Sequence, residues 1–353
     1  MNPIIEKDMQ EIIRSNVPWE RFANRNVLVS GATGMIPAYM VMALLYLNRT
    51  KPDYNCKVTA LIRSREKAER LFGEFIDEPY LELWQTDICE PIETEERIDY
   101  IIHGASPASP QFFTTYPVDT VRPNVLGTSN LLKLAADHKA AGFLFLSSGD
   151  VYGQIQEGSV IHEDSLGVVD QLNLRNSYAE SKRMAEMFCK AYAVQYGVPA
   201  VMARISHTYG PTVNLQEDRR VFSEFVQNIM RHEDIVMKSL GEAVRPFCYL
   251  TDAAAALFKI LLDGNHGEAY NMCNDECSYS IRDLANVLVG LFPERGLKVV
   301  CELRSADDDY KESLVSKPCM VDNSKLRALG WEPQVGIQEG FRRMVLALEA
   351  REE

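Results

Sequence analysis

The sequence predicts an α/β protein: a doubly wound parallel sheet with a smaller α/β lobe toward the C-terminus. Three observations predict it. The chain has 353 residues, a length that suits one large domain with a smaller partner. Near its start an apolar run stops at a glycine turn, and a helical pattern follows. Further short apolar runs recur after that, and they end in small or polar residues. Strands that alternate with helical patterns build parallel sheets.

Met1 to Val17 carries Glu6, Asp8 and Glu11 among its apolar residues, so it does not read as a signal peptide. Ile5, Met9, Ile12 and Ile13 fit one face of a short helix packed on the body. Asn26-Val27-Leu28-Val29-Ser30 is the first strand, and it stops at Gly31-Ala32-Thr33-Gly34-Met35-Ile36-Pro37. A helix follows from Ala38 through Leu47. Strand, glycine turn, helix is the context of a Rossmann-type dinucleotide site. Gly31 permits the tight turn, and Gly34 lets backbone approach a pyrophosphate at the helix N-terminus. Gly31, Thr33, Gly34, Met35 and Ile36 are therefore candidate cofactor contacts. Pro37 replaces the last glycine of a Gly-x-x-Gly-x-x-Gly spacing. Pro is tolerated in a first helical turn. It cannot supply the close approach of Gly, so the helix is expected to sit slightly displaced.

The second strand, Lys57 to Ile62, ends in Arg63. An acidic residue there would hold the ribose of NAD, whereas Arg accommodates the 2′-phosphate of NADP. Arg63 leaves both cofactors open. Leu81 to Trp84 leads to Asp87 and Ile88, where Asp87 is a candidate for the adenine amine. Tyr100 to His103 leads to Gly104, Ala105 and Ser106, small residues that let a cofactor lie close. Asn124 stands in or just inside a helix start, as a bridge toward Lys182 or as a cap. Phe143 to Leu146 leads to Ser147, a candidate cofactor contact, and then to Ser148, Gly149 and Asp150. Asp150 is either an acid–base group or a turn-stabilising residue. Tyr178 and Lys182 share one helix face, where the ammonium is expected to lower the phenol pKa toward neutrality. Ser148 is placed to hold a substrate alcohol beside that phenol.

The net charge of −13 argues against nucleic acid or anionic membrane as the main partner. No apolar run has the length of a bilayer span. The eight cysteines are scattered and complete no zinc set, so they read as reduced thiols of a cytoplasmic protein. No metal is expected.

The ordered set Gly31-Ala-Thr-Gly34, Asp87-Ile88, His103-Gly-Ala-Ser106, Asn124, Ser147-Ser148, Val151-Tyr152-Gly153 and Tyr178-x-x-x-Lys182 resembles the extended short-chain dehydrogenase/reductases that modify nucleotide sugars. The likeness runs on through Arg204 to Pro211, Arg245 to Asp252 and Leu329-Gly-Trp-Glu-Pro333. Within that epimerase/dehydratase family the chain looks most like UDP-glucuronate decarboxylases, on His103 to Pro110, Asn124 to Thr128 and Arg220 to Phe225. The resemblance implies a dinucleotide-binding domain over 1–205 and a mainly substrate-binding lobe over 206–353, with a return crossing near 243–272. It also implies a nucleotide-sugar substrate and a homodimer built through helices that include Tyr178 to Tyr196.

By that resemblance Tyr178 takes the proton of the sugar 4-hydroxyl as C4 gives up hydride. Lys182 holds the cofactor ribose and Ser148 bonds the 4-oxygen. A 4-keto uronate then loses carbon dioxide, hydride returns, and the NAD is recycled. Dehydratases carry Asp-Glu after the Ser, decarboxylases keep the Glu, and simple 4-epimerases usually have neither. This chain has Gly149-Asp150, which disfavours 4,6-elimination. Arg245 matches a diphosphate anchor, with Arg220 a second candidate; either is alternatively an ion-pair partner. His207 stands where the family usually places Asn against the substrate phosphates, able to donate a hydrogen bond and to add charge when protonated; alternatively it is a packed loop histidine. The decarboxylases' Arg-rich segment is replaced by Asp307 to Lys311, with Lys317 the nearest cation. The alternatives are a 4,6-dehydratase or 4-epimerase, an NADPH-dependent 4-keto sugar reductase, and a non-catalytic binding protein on the same fold.

Overall fold

A computed structural model describes residues 1–107, 109–156, 158–302 and 320–352. Asp307 to Lys311 and Lys317 lie outside the described residues. Seven parallel strands form the central sheet. Across it they run Leu81–Gln85, Lys57–Ile62, Asn26–Ser30, Tyr100–His103, Gly142–Ser148, Ala200–Ile205 and Ala269–Met272. Most are apolar runs buried on both faces, as a sheet covered by helices on each side requires. The order reverses between Asn26–Ser30 and Tyr100–His103, which opens a crevice at the carboxyl ends of these strands. Ser30 Oγ and His103 Nδ1 lie 2.7 Å apart across this pair.

One face of the sheet carries helices Pro3–Arg14, Met35–Thr50 and Leu250–Asp263, which share one apolar core with it. The other carries Thr128–Asp137 and Ser177–Tyr196, through Leu131, Leu132, Ala185 and Cys189. The N-terminal helix buries Ile5, Met9 and Ile12, and the Asn2 side chain caps it at Ile4 N, 2.9 Å away. On the same face Asp8 is fully buried. It accepts hydrogen bonds from Tyr39, from Tyr249 at 2.7 Å and from Arg343 at 2.7 Å.

After Ile205 the chain enters a second, three-stranded sheet of Ser278–Ser280, Val244–Tyr249 and His207–Tyr209. Helices Val221–Met230, Ile281–Leu291 and Ile337–Glu352 pack with it around Tyr209, Phe222, Phe247 and Phe341. Strand Val244–Tyr249 runs straight into helix Leu250–Asp263, which lies on the large sheet. Among the described residues no helix is long and apolar enough to cross a membrane. The described cysteines are free thiols. No group of three or more His, Cys, Asp or Glu among the described residues is placed to hold a metal ion.

Candidate active site

The glycine turn lies at the mouth of the crevice. Gly31 adopts φ +64°, the left-handed region. A Cβ there would stand 2.6 Å from Ala105 Cα, so only glycine fits. Gly34 precedes helix Met35–Thr50 and offers no side-chain cap, leaving the first N–H groups of a long helix facing the crevice mouth. This is the arrangement a pyrophosphate requires. The Pro37 ring has room because of the wall it faces. Gly104 stands opposite and lacks a side chain; a Cβ on it would come 2.5 Å from Pro37 Cγ. Closeness lost on one wall is thus recovered on the other.

Arg63 is exposed at the end of its strand, with no carboxylate at ion-pair distance among the described residues. Asp87 is exposed and accepts the Cys89 N–H at 2.9 Å, which with Arg122 and Arg63 nearby holds its carboxyl below the usual range. Ile88 fills the space beside Gly127. Asn124 is not a helix cap. It sits inside a π-helical turn, Pro123–Gly127, a distortion frequent at functional sites. Its Nδ2 donates to Thr120 O and to Ser181 Oγ, each at 3.0 Å. Its Oδ1 is buried without a protein partner, open to a ligand or water. The Ser147 hydroxyl is engaged elsewhere: it donates to Glu186 at 2.6 Å, within a buried pair that Glu186 forms with Arg204.

Strand Gly142–Ser148 ends in a 3-10 turn, Gly149–Tyr152, where Ser148 Oγ accepts from Asp150 N at 3.2 Å. Arg183 fastens this turn to the helix of Tyr178 by donating to Val151 O at 2.6 Å. Asp150 touches solvent yet lies in a cleft surrounded by protein. Burial raises its carboxyl pKa, and the charges of Arg245 and Arg175 oppose the rise. A side chain at Gly149 would meet only Ile205 O, 3.8 Å away.

Tyr178 and Lys182 are both buried, near the start of helix Ser177–Tyr196. The phenol pKa is raised, by burial first and by Asp150 second; a hydrogen bond with Ser148 and the charge of Arg220 offset this in part. Burial lowers Lys182 to about 7. The expected lowering of the phenol by Lys182 is therefore not what this arrangement produces. The ammonium donates to Leu146 O at 2.7 Å and lies 4.5 Å from the Phe145 ring centre and 5.6 Å from that of Tyr178.

Ser106 is half-buried and donates to Pro107 O at 3.1 Å. His207 adds no charge near neutrality, because burial, with Arg245 and Arg220 nearby, lowers it to about 3. Arg220 is an ion-pair partner: its Nε lies 3.0 Å from each Asp218 oxygen, and Nη1 donates to Thr208 O at 3.0 Å. Arg245 donates to Val244 O at 2.8 Å and has no carboxylate at ion-pair distance among the described residues, which leaves its fork for an anion. The loop before Arg220 touches the cofactor turn, with Thr212 Oγ1 donating to Met35 O at 2.8 Å.

Two neighbours escaped the sequence reading. Arg175 acts on Asp150 from the turn Leu174–Asn176; its i, i+3 spacing to Tyr178 was the available signal. Phe113 stacks on the Tyr178 ring, centroids 4.4 Å apart and planes 5° from parallel. Nothing local in the sequence marks it.

Comparison with known proteins agrees with this architecture. The model of the NAD dependent epimerase/dehydratase family matches residues 27–273. UDP-glucuronic acid decarboxylase 3 of Arabidopsis thaliana is 33% identical over 323 residues, 90% of this chain and 87% of the relative. The UDP-glucose 4-epimerase of Thermotoga maritima, solved with UDP-glucose, superposes with TM-score 0.75 at 21% identity, over 93% of this chain and 100% of that one. A UDP-glucuronic acid 4-epimerase of Bacillus cereus, solved with UDP-glucuronic acid and NAD, gives TM-score 0.75 at 20% identity, over 92% and 99% of the two chains. The two solved structures share the fold.

Proposed function

The chain belongs to the NAD dependent epimerase/dehydratase family, and we propose that it is a nucleotide-sugar enzyme working through transient oxidation at C4, with UDP-glucuronate decarboxylation as its reaction. The observation that carries this reading is the nearness of Ser148, Asp150 and Tyr178 to one another, with Arg245 acting on Asp150 and without a carboxylate partner of its own. The glycine cradle and the orphan Asn124 oxygen fit a dinucleotide. NAD supplies the hydride acceptor and donor at C4.

The residues supply the rest. Ser148 orients the sugar 4-oxygen toward the Tyr178 phenol. Tyr178 alone holds its proton at neutral pH, whereas Lys182, near 7, both takes and gives one there. Proton exchange at the 4-oxygen therefore rests on the pair. Asp150 carries the proton delivered to C5 after the carboxylate leaves as carbon dioxide. With NAD bound, hydride and proton would be restored at C4 and its oxygen, so that the net change would be loss of carbon dioxide with uptake of one proton. Gly149 supplies no second acid, which disfavours loss of water.

A second reading, NADPH-dependent reduction of a 4-keto nucleotide sugar, is favoured by exposed Arg63, free to meet a 2′-phosphate. Met184, Met187 and Val194, which share one side of the Tyr178 helix, leave an apolar face exposed there, which supports a homodimer across it.

The test is incubation with a panel of UDP-, dTDP-, CDP- and GDP-sugars, read by mass for loss of carbon dioxide or water. UDP-glucuronate converted to a UDP-pentose with NAD recovered from the denatured protein is the expected result. An inert panel, or turnover unchanged in Tyr178→Phe, ends the proposal. Stoichiometric consumption of NADPH moves the assignment to the reductase.

A further inference from the structure

A phenol that exchanges a proton with a sugar hydroxyl must keep its oxygen aimed at one point. Backbone fixes the start of the Tyr178 side chain but leaves its ring free to swing. One wall of that ring comes from a distant segment. Phe113, on helix Pro110–Thr115, is 5% exposed and lies flat on Tyr178, with centroids 4.4 Å apart and a 5° interplanar angle. The contact is tied at its base, where Ser177 Oγ donates to Phe113 O at 3.2 Å. That bond joins the first residue of the Tyr178 helix to the backbone under the stacked ring. The helix of Phe113 starts at Pro110, three residues after the Gly104 to Pro107 loop beside the glycine turn.

We infer that Phe113 is a positioning residue for Tyr178: its ring fixes the plane of the phenol and keeps water off one face of it. The contact offers no charge and no hydrogen bond from the ring. It acts by shape and by exclusion of water, and flat stacking of this kind adds modestly to burial. The charged groups near the phenol are Asp150, Lys182 and Arg220, none of which the Phe113 ring replaces.

This inference rests on Tyr178 as the proton-exchanging group, and the test separates the two. Phe113→Ala is expected to lower kcat about 10- to 100-fold, as loss of alignment does, while KM stays within about 3-fold. Phe113→Tyr, which restores a flat ring, is expected to recover most of kcat. Phe113→Leu, which fills space without a plane, should fall between them, and it carries the test if Phe113→Ala does not fold. The second readout needs no substrate. With 13C-labelled tyrosine, and the Tyr178 signal assigned by its loss in Tyr178→Phe, flipping of the Tyr178 ring should be faster in Phe113→Ala and Phe113→Leu than in wild type, because the stacked wall is gone. Wild-type kcat together with wild-type ring flipping of Tyr178 in both variants overturns the role of Phe113. If Tyr178→Phe itself turns over normally, the catalytic reading of Tyr178 fails instead.

Discussion

Lys182→Met is expected to make the protein more stable at neutral pH while abolishing turnover. Lys182 is 2% exposed, and burial brings it from 10.5 to about 7. Each unit corresponds to ~1.4 kcal/mol, so holding the ammonium in the fold costs ~5 kcal/mol relative to the unfolded chain. Below about 7 both states carry the proton, and the whole cost falls on the folded state. Between about 7 and 10.5 the unfolded chain binds more protons, so stability climbs with pH. Above 10.5 both are neutral and the cost is gone. Methionine keeps the length and apolar stem without charge, but it strands the Leu146 carbonyl that Lys182 bonds at 2.7 Å. An unpaired buried carbonyl costs ~1–3 kcal/mol. The net gain is ~2–4 kcal/mol at about pH 6 to 7, shrinking to nothing and then reversing as the solution nears pH 10. Urea unfolding of both proteins across that range measures it, with the slope m checked for constancy. A variant less stable than wild type near pH 6, or a gain that does not change with pH, would refute the buried-ammonium account.

Two further outcomes follow from the geometry. Gly104→Ala forces a Cβ against Pro37 and should cost ~1–3 kcal/mol, measured by urea unfolding; adding Pro37→Ala should recover part of it, and strict additivity would remove the proposed fit between these walls. Met187→Glu, on a residue 63% exposed on the Tyr178 helix, should convert a dimer to a monomer in sedimentation; a wild-type monomer, or a dimer indifferent to the change, would end the assignment of that face.

The glycine turn and the switch in strand order were legible because local signals produce them: an apolar run, a residue free to take φ +64°, and a helix start. The order of small motifs was enough to identify the family. What escaped depended on contacts between distant segments. Pro37 looked like a defect until Gly104 stood opposite it. The sequence leaves Asn124 between a bridge and a cap because no sequence rule marks a π-turn. Ser147 looked like a cofactor contact, but its hydroxyl belongs to the Glu186–Arg204 pair. Tyr178 and Lys182 share a face as their spacing requires, yet burial reverses the expected effect on the phenol, and burial is not a property of spacing. His207 is neutral for the same reason.

Asp8 and Arg343 lie 335 residues apart in sequence and 2.7 Å apart in space. Few contacts in a chain close so long a loop, and such contacts come late in folding. A ribosome must deliver the last helix before the first has its charge partner. Until then Asp8 would have to be buried beside Tyr39 and Tyr249 without its cation, which is costly. Firm seating of the N-terminal helix is therefore expected only once helix Ile337–Glu352 is in place to supply Arg343.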